Sequence, residues 1–271
     1  MIGSDLQELH RRGELTGASG KRLIFIAGAE GSGTTLLRRL VAAPDGCASF
    51  GRDIAKNLDH PEAMALFTGF EAVSRRLWDR LLTLPEHEQA RQEWHRIAAL
   101  MAASSGFAAA THFVMKRSFP FGPTQERACP DLWDVLALPI EARIVTIYRD
   151  PCAATYSALR RSFDTDLHRL AVRCANHLIF LAGQMRAIDP ARRRIISYPA
   201  LCAAPAAVLE PLAEFCGLPA APMLEAASAE GILGDTDRRY ASELAPSDVA
   251  WLEGYFSPDR RRQWEILERS R

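Results

Sequence analysis

The chain has 271 residues, 48% of them apolar, and its 33 basic and 33 acidic residues cancel. That length holds one sizeable core, burying roughly 75% of the unfolded surface. The balanced charge excludes a general attraction to nucleic acid or to an acidic membrane, and no apolar run reaches the length of a membrane span.

In chain order, Met1 to Gly20 is polar and lacks the apolar centre of a secretory leader. It is expected to be an N-terminal segment, 1–20, ahead of one domain covering 21–271. Leu23 to Ala27 then reads as a buried strand, Gly28-Ala29-Glu30-Gly31-Ser32-Gly33 as a glycine-rich turn, and Thr34-Thr35-Leu36-Leu37 as the start of an amphipathic helix. Glycines at 28, 31 and 33 let backbone N–H groups turn inward, and the helix start adds its positive dipole end. The result is a cradle for a phosphate-like oxyanion. The spacing nearly fits the nucleotide-binding P-loop, with Gly28 and Gly33 as its two glycines, but Thr34 stands at the lysine position. A nucleoside triphosphatase needs that amine on its terminal phosphates. Glycine-rich turns also occur where no ligand binds, because glycine allows close packing of helix on sheet, so a second anion-binding element is needed to decide.

Further along, strand Ala48–Phe50 leads into Gly51-Arg52-Asp53, and Ile54 to Ser105 reads as a long helical insertion. Its Trp78 and Trp94 are expected to pack helices together. Strand Phe113–Met115 ends in Lys116-Arg117-Ser118-Phe119-Pro120. Strand Ile144–Tyr148 is followed by Arg149-Asp150-Pro151 and a helix carrying Thr155, Tyr156 and Ser157, with proline suited to the first helical turn. This places Arg149 at the carboxyl end of a strand and Ser157 about two turns into a helix, both able to meet an anion. Strand Arg194–Ser197 precedes Tyr198. Strands separated by helices imply an α/β class: a single-domain, three-layer fold with a central parallel sheet and helices on both faces. Ligands in such sheets bind beyond the carboxyl ends of the strands, where the candidate residues fall. The cysteines at 47, 129, 152, 174, 202 and 216 are scattered without a C-x-x-C pair, which favours buried reduced thiols over metal ligation or disulfides, and a cytoplasmic setting.

The two loops together resemble the sulfotransferases that use 3′-phosphoadenosine 5′-phosphosulfate (PAPS). In that family a first motif, a basic residue, any residue, then Gly-Thr-Thr, binds the 5′-phosphosulfate. A second, Arg, Asp or Asn, Pro, five residues and Ser, holds the 3′-phosphate. The second is intact here as Arg149-Asp150-Pro151 with Ser157; the first reads Gly31-Ser32-Gly33-Thr34-Thr35, without its basic residue. The stretch Ile195-Ile196-Ser197-Tyr198, then Pro205, Val208-Leu209 and Phe215-Cys216-Gly217-Leu218-Pro219, is similar to a third family element whose tyrosine lies near the adenine. The resemblance runs from about residue 21 to 220 and implies a P-loop NTPase-like sulfotransferase architecture. It implies PAPS as donor, with Gly31, Ser32, Gly33, Thr34, Thr35, Leu36, Arg149, Ser157 and Tyr198 in its site and no metal.

Sulfuryl transfer needs a base for the acceptor's proton and a cation or aimed donors for the leaving oxygen. With no basic residue at Gly31, Lys116 is the candidate for the missing charge and Arg117 the fallback, since the two side chains leave a strand in opposite directions. Lysine is scarce here: Lys21, Lys56 and Lys116 are the only ones among the 33 basic residues. Cytosolic small-molecule members of the family carry a histidine base two residues after such a lysine, where this chain has Ser118. Relatives acting on protein tyrosines or sugars place a carboxylate after the second strand, which makes Asp53 the candidate base and brings the chain closer to that branch. Asp53 as N-cap of a helix beginning near Ile54 is the competing reading; His60 and His112 stay open as bases. Glu30, inside the loop, is expected to point away from the anion. In the tail, Asp235-Thr236-Asp237-Arg238-Arg239 matches the position of a late basic loop over the nucleotide, making Arg238 a further candidate. Asp259 to Arg262 reads as a solvated helix face. The expected reaction is sulfuryl transfer from PAPS to a hydroxyl, or an amine, of a small molecule or saccharide, with helices of the insertion shaping the acceptor pocket and no nucleic acid or membrane partner. The alternatives are a small-metabolite P-loop kinase and a non-catalytic nucleotide-binding relic of the same fold.

Overall fold

The computed structural model describes residues 20–51, 54–58, 60–78, 82–119, 131–161, 164–231 and 237–268. Its strands are β1 (Arg22–Ala29), β2 (Cys47–Gly51), β3 (Ile54–Lys56), β4 (His112–Phe119), β5 (Glu141–Tyr148) and β6 (Arg193–Ser197). They form one sheet in the order β3-β2-β4-β1-β5-β6. The connections carry helices α1 (Thr34–Val41), α2 (Pro61–Leu77), α3 (Leu84–Ala103), α4 (Leu132–Leu136), α5 (Pro151–Arg160), α6 (Leu167–Ala187), α7 (Tyr198–Ala203), α8 (Pro205–Cys216), α9 (Ala220–Ala229), α10 (Arg239–Glu243), α11 (Pro246–Tyr255), α12 (Pro258–Arg261) and α13 (Glu265–Glu268). Five of the six strands coincide with those expected from sequence, and the α/β architecture is as expected. Central β1 shows why: Leu23 to Ala27 are each at most 1% exposed, the continuous apolar run of a strand covered on both faces.

One edge departs from the expected all-parallel sheet. β2 runs parallel to β4, with Cys47 opposite His112, but β3 returns antiparallel to β2, pairing Gly51 with Ile54 and Ser49 with Lys56. Three residues are too few to show an alternating pattern, so β3 was not legible. Asn57 closes it with a positive φ of 55°, a conformation asparagine tolerates. Ile54 opens this strand, where the competing reading of Asp53 as an N-cap needed a helix; Asp53 itself lies outside the described residues. The first helix of the insertion is α2, with Pro61 at its start and His60 as its cap, the His60 Nδ1 accepting from the Glu62 N–H at 3.3 Å.

The chain forms two compact units. The first comprises Met1–Ile24, Asp45–Met115 and Pro130–Arg143. Within it α2 and α3 pack through an aromatic cluster: Phe70 stacks on Trp94 with centroids 4.9 Å apart, and Trp78 meets Trp94 edge-on at 5.3 Å. Both indoles keep a polar partner, Trp94 Nε1 donating to the Phe70 carbonyl at 3.1 Å and Trp78 Nε1 to Asp134 Oδ2 at 3.3 Å. Burial, with Asp131 adding, raises the Asp134 carboxyl above the usual range. Both tryptophans therefore serve packing.

The second unit comprises Phe25–Pro44, Lys116–Cys129 and Ile144–Arg271. There β5 and β6 run parallel from Ile144 opposite Arg193 to Tyr148 opposite Ser197. The stretch Asp259 to Arg262 is not uniformly solvated. Arg261 donates from Nη1 to Asp150 Oδ2 at 2.8 Å and from Nε to the Phe256 carbonyl at 2.9 Å. Trp264 and Leu267, at most 1% exposed, anchor this segment. Their burial brings α13 over β5, where the Tyr148 hydroxyl donates to Glu268 at 2.6 Å. Among the described residues no helix is long and apolar enough to cross a membrane.

Candidate active site

The glycine-rich turn between β1 and α1 is built around missing side chains. Gly31 has φ 82° and Gly33 φ 99°, both left-handed. A Cβ on Gly31 would lie 2.1 Å from the Ala154 carbonyl oxygen on α5, and one on Gly33 would lie 2.6 Å from the Tyr198 ring. Gly28, at the end of β1, sits so close to β5 that a Cβ would come within 2.9 Å of the Ile147 carbonyl. The absent basic residue at position 31 thus has a structural cause, since α5 packs onto the backbone where a side chain would start. Gly33 is also the cap residue of α1, so the loop delivers its backbone directly to a helix N-terminus.

The loop's polar side chains divide their roles. Ser32 is 1% exposed, and its hydroxyl and its backbone N–H both turn back to the Ala29 carbonyl, at 2.7 and 3.1 Å. Thr34 Oγ1 donates to Ser118 Oγ at 3.2 Å, and Lys116 Nζ reaches the same Ser118 oxygen at 3.4 Å. Strand β4 runs on to Phe119, further than expected, so Lys116 and Ser118 share one face. Arg117 takes the other face and is 5% exposed. Ser118 thereby joins Lys116 to the loop. Thr35 and Leu36 are half-buried in the first turn of α1. Glu30 is 8% exposed and pairs at 3.7 Å with Arg173 of α6, which also meets Asp164 at 3.3 Å. This removes the loop carboxylate's charge from competition with an anion.

Arg149, directly after β5, is 8% exposed. Its Nη1 donates to the Gly31 carbonyl at 3.1 Å, and its guanidinium lies 4.4 Å from the Tyr198 ring centroid. Its Nε donates to Asp237 Oδ1 at 2.6 Å. Asp150 caps α5, accepting from the N–H groups of Cys152 and Ala153 at 2.9 and 3.2 Å, and fixes the corner that carries Arg149. Ser157 stands on α5 beside Gly31, whose hypothetical Cβ would approach the Ser157 Cβ to 3.1 Å. Loop, arginine, serine and tyrosine therefore converge. In the tail it is Asp237 that meets Arg149, while Arg238 is exposed. Asp235 and Thr236 lie outside the described residues. His112 is 7% exposed in β4 with its Nδ1 2.9 Å from Thr111 Oγ1. Sequence reasoning missed Arg173, Arg261 and the Asp237 contact. Each joins residues far apart in the chain, and no spacing rule encodes such pairs.

A sequence profile of the sulfotransferase family matches residues 23–222. The chain belongs to the sulfotransferase family. Solved structures of similar fold include the sulfotransferase domain from the Synechococcus PCC 7002 olefin synthase, 18% identical with a TM-score of 0.50 over 92% of this chain and 94% of that one. The sulfotransferase domain from the curacin biosynthetic pathway is 18% identical, with a TM-score of 0.52 over 87% and 97%. A sulfotransferase of Mycobacterium tuberculosis H37Rv is 14% identical, with a TM-score of 0.53 over 98% and 81%. At these identities the likeness is one of fold. No curated protein matches the chain. Family membership supports sulfuryl transfer as the general chemistry of this sulfotransferase.

Proposed function

We propose that this sulfotransferase takes PAPS as its donor and delivers the sulfuryl group to a hydroxyl, or less readily an amine, of a small molecule or saccharide. The observation that carries the reading is the contact of Arg149 with Gly31, which joins the two anion-binding motifs through a 3.1 Å hydrogen bond. The residues present suit such a donor: a cradle that a Cβ would fill, a buried guanidinium beside it, and Ser157 on the adjoining helix. In this reading the backbone of Gly31 to Thr35, with Leu36 in the same turn, holds the 5′-phosphosulfate. Arg149 and Ser157 hold the 3′-phosphate, Tyr198 borders the adenine, and Arg238 adds charge at the rim.

The donor supplies the sulfuryl group, and the protein handles one proton and one developing charge. Asp53 takes the acceptor's proton as the acceptor oxygen bonds to sulfur. Lys116 meets the negative charge that grows on the leaving phosphate oxygen as its bond to sulfur breaks. The link from Lys116 through Ser118 to Thr34 supports this role, because it ties the ammonium to the loop that would hold that oxygen. Calorimetric titration with adenosine 3′,5′-bisphosphate, beside ATP with Mg²⁺, tests the donor. The bisphosphate is expected to bind selectively and to lose its binding in Arg149→Ala. Preference for ATP, or indifference to Arg149, would overturn the reading. For the chemistry, Asp53→Asn is expected to abolish turnover while bisphosphate binding persists; a variant that still turns over would return attention to His60 and His112.

A further inference from the structure

The Arg149 guanidinium already holds an anion, and it belongs to the protein. Asp237 Oδ1 lies 2.6 Å from Arg149 Nε, with side chains 12% and 8% exposed. A cation this deeply buried is costly without a counter-charge, and Asp237 supplies one. The contact also limits what else the guanidinium can take. Bidentate recognition of a phosphate uses two parallel N–H groups, either Nε with Nη2 or Nη1 with Nη2. Asp237 holds the first fork at Nε, and the second is committed at Nη1 to the Gly31 carbonyl at 3.1 Å. Gly31 has little freedom to withdraw, since its α-carbon abuts the Ala154 carbonyl so closely that a Cβ would come to 2.1 Å. The Tyr198 ring, 4.4 Å away, covers one face. Of these partners only Asp237 is a side chain carrying the same charge sign as a phosphate.

We propose that Asp237 is a specificity-determining stand-in for the donor's 3′-phosphate: it neutralises Arg149 when no nucleotide is bound and is displaced by that phosphate. This rests on the reading of Arg149 as the 3′-phosphate anchor. The exchange is of one anion for another on the same cation, so the net charge buried around Arg149 stays low at each end of it. A dianionic phosphate accepting two hydrogen bonds outcompetes a carboxylate, whereas a nucleotide lacking the 3′-phosphate has nothing to displace it with. Asp237 therefore lowers the absolute affinity for 3′-phosphorylated nucleotides and leaves that for others unchanged.

The test is calorimetry with adenosine 3′,5′-bisphosphate and with adenosine 5′-monophosphate on the wild type, Asp237→Asn, Asp237→Ala, Arg149→Ala and the double variant Arg149→Ala/Asp237→Ala. Removing the competing charge is expected to tighten bisphosphate binding on the order of ten-fold or more, with monophosphate binding unchanged and the gain lost in the double variant. Thermal melts guard against misfolding: Asp237→Ala alone should melt lower than the wild type, and the bisphosphate should raise its melting temperature by more than it raises that of the wild type. Bisphosphate binding that needs Arg149 but is unchanged or weakened in both Asp237 variants would overturn the inference alone, making Asp237 a support for the arginine. Bisphosphate binding to none of the proteins would overturn the inference together with the donor reading.

Discussion

The loop between β1 and α1 and the helix pair α2/α3 reach close packing by opposite means. The loop does so by subtraction: at Gly31 and Gly33 a single added carbon would collide with Ala154 or Tyr198. The helix pair does so by filling, with Phe70, Trp78 and Trp94 in mutual ring contact. A packing of absences keeps side chains out of the turn that leads into a helix N-terminus, which suits an anion. In the packing of rings the two indole N–H groups are taken by Phe70 and Asp134. Tolerance to substitution should divide along the same line, all-or-none in the loop and graded in the helices.

The sharpest way to break that contrast is Gly31→Ala. One methyl at a φ of 82°, aimed at a backbone oxygen, is expected to cost about 4 kcal/mol or more and to remove nucleotide binding with it. Chemical denaturation measures the first and bisphosphate titration the second; a stable, binding-competent variant would show that the loop can yield. Next in size, Lys116→Met should lower kcat by about 10²–10³ while leaving bisphosphate affinity within about two-fold. A rate near wild type would remove Lys116 from the chemistry and leave Arg117 as the fallback. In the helix pair, Trp94→Phe removes part of a ring and the hydrogen bond to Phe70, at a cost of about 2 kcal/mol. Bisphosphate affinity should be unaffected, and a change would contradict the separation of roles drawn above. The smallest effect concerns thiols. Burial pushes Cys47, Cys152 and Cys174 up to about 12, so at pH 8 the native protein should expose almost no thiolate from these three to a disulfide reagent, and they should react only on unfolding. Prompt labelling of any of them in the native protein would count against the buried core described.

Much of this molecule was written locally, and that part was legible. Five strands, the glycine turn and the Arg149 corner all arise from neighbours in sequence: apolar runs, positive-φ glycines, a proline at a helix start. The face shared by Lys116 and Ser118 follows from strand alternation alone once β4 is known to continue. What escaped was of two kinds. β3 is too short to carry a period, and its loss made Asp53 look like a cap. The ion pairs escaped because each needs a tertiary neighbour: Asp237 reaches Arg149 across 88 positions, and Arg173 meets Glu30 only because α6 lies against the loop. Charge patterning along the chain made Arg261 look solvated, whereas its direction is set by the burial of Trp264 and Leu267 behind it.

The Arg149 corner also has a place in time. Its Asp150 receives Arg261 from 111 positions downstream, and Tyr148 receives Glu268 from 120 downstream. These are among the longest loops the molecule closes, and closing a long loop costs entropy before its contacts repay it. The strand and helix that form the corner are local and need no help to assemble. Its final setting, with Asp150 and Tyr148 both engaged, comes only after residues 261–268 have left the ribosome and docked. Donor-binding competence should therefore be a late event in folding, trailing secondary structure, and a chain halted before Arg261 would carry both sulfotransferase motifs without the clasp that holds the second in shape.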